Sequence, residues 1–171
     1  MEEQFKEEFV QNALYRIDES TRMNRISVAQ LSEEELWKRP NESLNSIGNL
    51  ILHLCGNITQ YVISSLGENE DKRDRDLEFS AKEIYSKEEL VEKLTETVEI
   101  AKRIINDASV EQLVRKRKVQ GFYFSGIGVV LHAVEHYSYH TGQIAFYTKQ
   151  LKNQDLGFYK GTDLNLKNGA K

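Results

Sequence analysis

The chain has 171 residues, of which 39% are hydrophobic and 29% are charged, a composition that suits one globular domain with a buried core. The net charge of −4 gives no overall electrostatic attraction to nucleic acid or to an anionic membrane, so neither partner is expected. A single proline, ten glycines and many Glu, Lys, Leu and Ile residues favour helices, and we predict an all-α fold that forms one domain over residues 1–171.

The cysteine content and the N-terminus predict the cellular compartment. The only cysteine, Cys55, has no partner for an internal disulfide. The N-terminal sequence MEEQFKEE is acidic, whereas a secretory signal begins with basic residues followed by an apolar stretch. We therefore expect a cytoplasmic protein.

The first part of the chain predicts a long helix followed by a short one. Apolar residues recur at near-helical intervals among charges from Glu2 to about Gln30, which is typical of an amphipathic helix. Ser32 and Glu35 have the spacing of a capping box and predict a short turn of helix, which Pro40 helps to end.

The segment 45–66 predicts a helix of a different kind. It contains no charged residue, and Ser43 or Ser46 could cap its N-terminus. Its length and apolarity would allow a membrane span. However, its asparagines, glutamine and histidine are costly in lipid, and the chain has no second span of similar apolarity. We therefore expect a helix that is buried inside a protein core.

The middle of the chain combines a charged connection with a third long helix. The stretch GENEDKRDRDLEF, residues 67–79, is dense in mixed charge and poor in apolar residues, so we predict a solvated connection. Ser86 and Glu89 form a second capping-box pattern. Apolar residues then run at helical spacing to about Asp107, which predicts another amphipathic helix.

The last third of the chain predicts a short extended or hairpin segment and a final helix. Residues 114–126 carry β-branched and aromatic side chains around Gly121. Residues 125–151 should form a mostly buried helix, because only Glu135 is charged before Lys149. About 15 residues at the C-terminus are expected to be a loosely ordered tail. Four long helices of similar length favour a four-helix bundle.

Three of the four histidines lie in the last helix at four-residue spacing: His132, His136 and His140. On an α-helix this spacing places them on one inward face, and we call them the histidine ladder. The two end residues are about 12 Å apart along the axis, too far to bind one ion. An adjacent pair must therefore supply two ligands, and the spacing leaves open which pair. Gly142 favours the pair 136 and 140, since it would let a neighbour approach closely.

The fourth histidine, His53, lies on an uncharged polar stripe of the buried helix 45–66. We expect this stripe to face another polar surface or a wet pocket, since buried amides need partners. The ladder is the obvious candidate, and the stripe members Asn49, Asn57 and Gln60 are candidate pocket residues. A lone buried histidine is more often a hydrogen-bonded core residue than a ligand. Three inward histidines plus one among amides favour a metal site. Cys55 projects from the opposite side and is predicted to be a core residue.

The motif HxxxHxGQI at residues 136–144, preceded by SIGNLILHLCGN with His53, resembles the DinB/YfiT-like superfamily over most of the chain. This resemblance implies a four-helix bundle in which His53, His136 and His140 bind one divalent ion such as Zn, Ni or Fe. His132 has no counterpart in that triad and would line the pocket or contact a ligand residue.

The resemblance also implies three alternative functions. Relatives include S-transferases that use low-molecular-weight thiols such as bacillithiol, and metal-dependent hydrolases. Three neutral imidazoles leave an open position that suits a thiolate or water. No carboxylate lies on either stripe, which favours thiolate chemistry and leaves His132, or Gln143 through water, to move protons. We therefore rank an S-transferase first, a hydrolase second and a metal-stabilised binding module third. We expect a small-molecule substrate and leave a homodimer open.

Overall fold

The computed structural model describes residues 1–169 as four long helices with shorter helices and one hairpin between them. In chain order the elements are α1 (Glu2–Ala29), α2 (Glu33–Trp37), α3 (Ile47–Ile58) with a π-helical continuation (Thr59–Leu66), α4 (Arg75–Ser80), α5 (Lys87–Asp107), α6 (Val110–Val114), β1 (Lys116–Val119), β2 (Phe122–Ser125) and α7 (Gly126–Lys152). The long helices α1, α3, α5 and α7 enclose one hydrophobic core. The predicted all-α four-helix bundle is therefore confirmed.

Serine side chains start most of these helices. The predicted capping boxes of Ser32 with Glu35 and of Ser86 with Glu89 are both present. Ser46, rather than Ser43, caps α3, and its partner is the Asn49 side chain. Each box pairs backbone N–H groups that the first turn of a helix leaves free, which fixes where the helix begins.

The core consists of the apolar faces that the sequence pattern predicts. In α5 every apolar residue of the predicted stripe is buried: Leu90, Leu94, Val98, Ala101 and Ile105. The helix α3 is buried on nearly all sides. Within residues 1–169, no helix is both long enough and apolar enough to cross a membrane.

The predicted hairpin is present and leads directly into α7. Strands β1 and β2 pair in antiparallel register, with Val119 opposite Phe122. The two turn residues, Gln120 and Gly121, have φ angles of 50° and 87°, as the tight turn of a two-residue hairpin requires. Ser125 ends β2 and caps α7 through a hydrogen bond from the Gly128 N–H.

One departure from the predicted regular helix lies at the end of α3. From Thr59 to Leu66 the backbone is π-helical. A π-helical segment changes the angular spacing of side chains, so positions beyond Ile58 no longer follow the simple α-helical stripe. The ring of Tyr61 is buried there and stacks on His132.

The predicted charged connection is exposed at most of its positions, but the prediction is wrong for Arg73 and Glu78. Residues 67–81, which we call the strap, include the short helix α4 and pack against α3. The side chains of Arg73 and Glu78 are only 3% and 9% exposed. The physical reason is the polar stripe of α3, whose buried hydrogen-bonding groups need partners that no apolar segment could supply.

The first part of the predicted tail is attached to the bundle. Leu156 is buried, the Arg22 guanidinium donates a hydrogen bond to the Phe158 carbonyl oxygen, and the same guanidinium lies 5.9 Å from the centre of the Tyr159 ring. The tail prediction also covers residues 170 and 171, which lie outside the described residues.

Candidate metal centre

Three histidines from two helices converge at the centre of the bundle. His53 of α3 meets His136 and His140 of α7, and one nitrogen from each ring lies within 4.8 Å of the others. The Nε2 atoms of His53 and His136 are 3.1 Å apart. These are the three residues that the resemblance implies as ligands. Of the two possible ladder pairs, His136 with His140, which we call the lower end of the ladder, is the one that meets His53.

The spacing of one pair of these nitrogens fits a bound cation. Metal–nitrogen bonds of about 2.0–2.1 Å place two ligand nitrogens about 2.9 Å apart in octahedral geometry and about 3.3 Å apart in tetrahedral geometry. The 3.1 Å separation of the two Nε2 atoms lies between these values. Among residues 1–169 the cluster contains these three histidines and no fourth side chain of a metal-binding type, so the ligand set would leave coordination positions open.

Hydrogen bonds to the far nitrogens orient two of the rings. His53 Nδ1 lies 2.9 Å from Glu78 Oε2, and His140 Nδ1 lies 2.7 Å from Gln143 Oε1. Both contacts leave Nε2 pointing to the cluster, as in the carboxylate–histidine–metal arrangement of many metalloproteins. His136 Nδ1 is buried and has no hydrogen-bond partner within the described chain, so no hydrogen bond at its far nitrogen orients that ring.

Arg73 completes the arrangement around His53. Its Nε and Nη2 atoms donate to the two carboxylate oxygens of Glu78 at 2.7 and 2.9 Å, and its Nη1 donates to Gln60 Oε1 at 2.9 Å. Burial raises the pKa of Glu78, but the hydrogen bonds from Arg73 and His53 outweigh burial, so the pKa lies below its usual value. Glu78 is therefore an ionised carboxylate, and both of its oxygens accept hydrogen bonds.

Burial also keeps the histidines of the ladder neutral. Burial, and after it the neighbouring His140, His53 and His132, lower the pKa of His136 to about 3. The pKa values of His132 and His140 are lowered too, with burial as the largest cause in each case. Neutral imidazole is the form that binds a metal ion, so these rings are ready to coordinate at neutral pH.

His132, which forms the upper end of the ladder, has different neighbours. The His132 ring stacks on Tyr61 with the ring centres 3.8 Å apart, and Asn57 Nδ2 lies 3.4 Å from His132 Nε2. The ring centres of His132 and His136 are 5.6 Å apart. His132 is therefore next to the cluster and belongs to an aromatic contact rather than to the group of three.

The predicted pocket residues are divided between the cluster and the strap. Asn57 alone reaches the ladder. Asn49 donates to the carbonyl oxygens of Glu78 and Ala81, and Gln60 binds Arg73 and the strap carboxylate of Asp71. The polar stripe of α3 thus faces the strap over most of its length, although the ladder was the expected partner.

Two further predictions concern residues beside the cluster. Cys55 is a buried core residue, as predicted, and burial raises the pKa of its thiol to about 12. The close approach predicted at Gly142 is wrong, because a side chain there would meet nothing within 4 Å. Gly56 is the glycine at which such an approach occurs. A Cβ atom on Gly56 would clash with Glu78 Oε1 and lie 2.7 Å from its carboxyl carbon.

The sequence prediction missed Arg73 and Glu78. Both belong to a run of charges whose composition is typical of a solvated loop. The available signal lay elsewhere, in the surplus of uncharged polar groups on α3. Asn49, His53, Asn57 and Gln60 offer more hydrogen-bonding atoms than three histidines can satisfy, so a second polar segment was required.

The fold is similar to that of several solved structures. A conserved protein from Enterococcus faecalis has a TM-score of 0.72 at 15% identity, and the alignment covers 84% of this chain and 97% of that one. A DinB-like protein from Bacillus cereus has a TM-score of 0.67 at 14% identity, covering 85% and 92%. A DinB-like protein from Bacillus subtilis has a TM-score of 0.63 at 18% identity, covering 86% and 93%. Identities this low show the fold alone, and that fold is DinB-like.

The comparison with curated proteins finds no match. A family model does match, over residues 4–160, and its description is "Protein of unknown function (DUF1572)". The matched residues include the three clustered histidines and the four long helices apart from the first two residues of α1. The family is DinB-like, so the resemblance predicted from the histidine motif is confirmed, and the chain belongs to this DUF1572 family.

Proposed function

We propose that this protein binds one divalent transition-metal ion through His53, His136 and His140 and catalyses transfer of a low-molecular-weight thiol, such as bacillithiol, to an electrophile. The observation that carries the proposal is the convergence of three imidazole nitrogens within 4.8 Å. Hydrogen bonds to the far nitrogens of His53 and His140 support the proposal, because they turn the other ring nitrogen towards the cluster.

The bound ion would lower the pKa of a thiol or of water in its open coordination position. Aromatic rings flank two of the three histidines. Phe79 packs 4.8 Å from the His53 ring and Tyr139 packs 4.9 Å from the His140 ring, as measured between ring centres. Tyr139 is 63% exposed, so the side of His140 is the one from which we propose that the substrate approaches.

The surroundings of Glu78 support thiol chemistry over hydrolysis. Activation of water needs a group that accepts a proton, but both oxygens of Glu78 are occupied by Arg73 and His53. A thiol ionises more readily than water and needs no such base. In the transfer, the sulfur forms a bond to the electrophilic carbon, the leaving group departs with its bonding electrons, and the thiol proton passes to solvent.

Hydrolysis is the second candidate, and His132 is the observation in its favour. The His132 ring lies next to that of His136, and burial lowers its pKa, which keeps it neutral and able to accept a proton from water. In that case the substrate would be an ester or amide, and turnover would not need a thiol.

Metal analysis of untagged protein tests the site. We expect about one ion per chain in the wild type and none in His53→Ala. Gln154→Ala, a change on the surface outside the bundle core, serves as the matched control and should keep the ion. A His53→Ala variant with unchanged helicity that still retains the ion would show that the triad is wrong.

A panel of electrophiles with and without thiols tests the reaction. Epoxides and activated alkyl halides should be consumed only when bacillithiol or another small thiol is present, and the His53→Ala protein should give only the uncatalysed rate. Turnover that does not depend on thiol, together with cleavage of esters, would favour the hydrolase. If the metal is bound but neither reaction occurs, the ion stabilises a binding module.

The cytoplasmic location, the small-molecule substrate and the homodimer stay predictions. The lone buried Cys55 supports a reducing compartment. Light scattering of the metal-loaded protein would measure the oligomeric state directly.

A further inference from the structure

We propose that Glu78 and Arg73 set the tautomer of His53, with Glu78 holding the ring proton on Nδ1 so that Nε2 presents its lone pair to the metal centre. Both are positioning residues, since they act through His53 and do not reach the ligand position. This inference rests on the proposed metal site, but it concerns a property of the metal-free chain.

Two groups of opposite hydrogen-bonding character reach the same nitrogen. Glu78 Oε2 lies 2.9 Å from His53 Nδ1, and Arg73 Nη2 lies 3.1 Å from it. An ionised carboxylate can only accept a hydrogen bond, whereas a guanidinium can only donate one. A neutral imidazole carries one proton, so Nδ1 can satisfy either Glu78 or Arg73 but not both.

The other contacts of Arg73 decide the competition. Its donors are directed to acceptors elsewhere, at both oxygens of Glu78 and at Gln60. Glu78 Oε2 still has room for the His53 proton. The stable arrangement is therefore Nδ1–H donating to Glu78, which leaves Nε2 unprotonated 3.1 Å from His136 Nε2.

The same geometry predicts what happens when the carboxylate becomes an amide. In Glu78→Gln the side chain keeps its shape but has one oxygen and one NH₂ group. Arg73 donates at both positions, through Nε to Oε1 at 2.7 Å and through Nη2 to Oε2 at 2.9 Å. We expect the amide oxygen to take the position of the shorter contact, at Oε1, which places the NH₂ group at Oε2 beside His53 Nδ1. Nδ1 then has to accept, and the ring proton moves to Nε2, where it blocks metal binding.

Removing Arg73 as well should reverse the effect. In the double variant Arg73→Met with Glu78→Gln, the amide is free to rotate and its oxygen can accept the proton of His53 Nδ1. If Arg73 and Glu78 had a purely structural role, the double variant should be at least as damaged as Glu78→Gln, because it loses two members of one buried network.

The first measurement is made on metal-free protein labelled with ¹⁵N in histidine. Long-range ¹H–¹⁵N spectra distinguish a protonated ring nitrogen from an unprotonated one. We expect His53 to carry its proton on Nδ1 in the wild type, on Nε2 in Glu78→Gln, and on Nδ1 again in the double variant. The inference is overturned if the wild-type ring is protonated on Nε2, a result that requires no variant to fold, or if Glu78→Gln keeps the wild-type tautomer.

The second measurement is the affinity for Zn(II), determined by competition with a chromophoric chelator. Glu78→Gln should bind about 10- to 100-fold more weakly than the wild type, as changes at such outer groups typically do, and the double variant should recover at least about tenfold. A double variant that binds no better than Glu78→Gln contradicts the inference. Arg117→Gln is the matched control, because Arg117 is a partly buried arginine that binds the carbonyl oxygens of Ser65 and Leu66 and should leave the Zn(II) affinity unchanged.

The two measurements separate the possible failures. If the wild type binds no Zn(II), the proposed function fails while the spectra still test the tautomer. If Zn(II) binds and the tautomer does not respond to Glu78→Gln, the metal site stands and the role of the pair is wrong.

Discussion

The two ends of the histidine ladder on α7 lie against different parts of α3. At the lower end, His136 and His140 meet His53 on the regular α-helical part. At the upper end, His132 lies beside the π-helical continuation and stacks on Tyr61. Three residues with identical spacing on one helix thus have two kinds of neighbour, one that supplies a third imidazole nitrogen and one that supplies an aromatic face.

This difference shows that the facing helix decides which histidines form a site. The four-residue repeat places all three rings on the same side of α7, and burial lowers the pKa of each. Only the lower end has a partner that is itself oriented, because Glu78 and Arg73 of the strap hold the His53 ring. A ligand set of this kind therefore depends on three chain segments: α7, α3 and the strap.

Replacing the histidine at each end of the ladder by alanine should give the largest difference in Zn(II) affinity. His140→Ala removes a ligand and should weaken Zn(II) binding by more than about 100-fold, beyond the loss typical of outer groups, whereas His132→Ala should change it by less than about tenfold. Chelator competition and metal analysis of the purified proteins measure both. Equal losses in the two variants would mean that the upper end takes part in binding.

Two glycines test the role of the strap at the lower end, with a smaller effect. In Gly56→Ala the new Cβ would clash with Glu78 and approach Arg73 Nε to 3.0 Å, so we expect the free energy of unfolding to fall by about 1–3 kcal/mol. The Zn(II) affinity should fall as well, because the displaced carboxylate no longer orients His53. Urea unfolding of metal-free protein, followed by chelator competition, measures the two effects.

Gly142→Ala is the matched control for that experiment. It adds the same methyl group to a helix in the family motif, but the position is exposed and open. Alanine is the better helix former, so the free energy of unfolding should rise by about 0.5–1 kcal/mol, with metal binding unchanged. If Gly56→Ala behaves like Gly142→Ala, the strap does not pack as tightly on α3 as its contacts indicate.

Much of the fold and of the histidine cluster could be predicted because the relevant signals are local or repeated. Capping boxes such as Ser86 with Glu89 mark helix starts within four residues. The repeat of the ladder is readable on one helix, and the family motif then selects His136 and His140. His53 followed from its position among uncharged polar residues on a buried segment.

The strap could not be predicted from the same kinds of signal. Arg73 and Glu78 are buried only because they neutralise each other and bind the polar groups of α3, and this pairing depends on a contact between segments about 20 residues apart. The charge run alone is indistinguishable from a solvated loop. The π-helical turn that brings Tyr61 to His132 likewise has no pattern in the sequence that separates it from an α-helix.

The smallest expected effect is the acid response of the metal-free protein, and it also separates the two ends of the ladder. An unfolded histidine has a pKa of about 6.5, whereas burial lowers that of folded His136 to about 3. Between these values the unfolded chain binds a proton that the folded chain does not. Stability should therefore decrease as the pH falls from about 7 to 5. This range avoids the carboxyl of Glu78, whose pKa lies below 4.5.

Urea unfolding in the presence of a chelator, repeated between pH 7 and pH 5, measures this slope for the wild type and for two variants. His136→Ala should remove a large part of the pH dependence, because it deletes the ring whose pKa is lowered to about 3. His132→Ala should keep most of it, since the pKa of His132 is lowered by burial to a smaller extent. If the slopes of the two variants match, the rings are equally buried in solution, and the contrast between the ends of the ladder is then limited to the presence of His53.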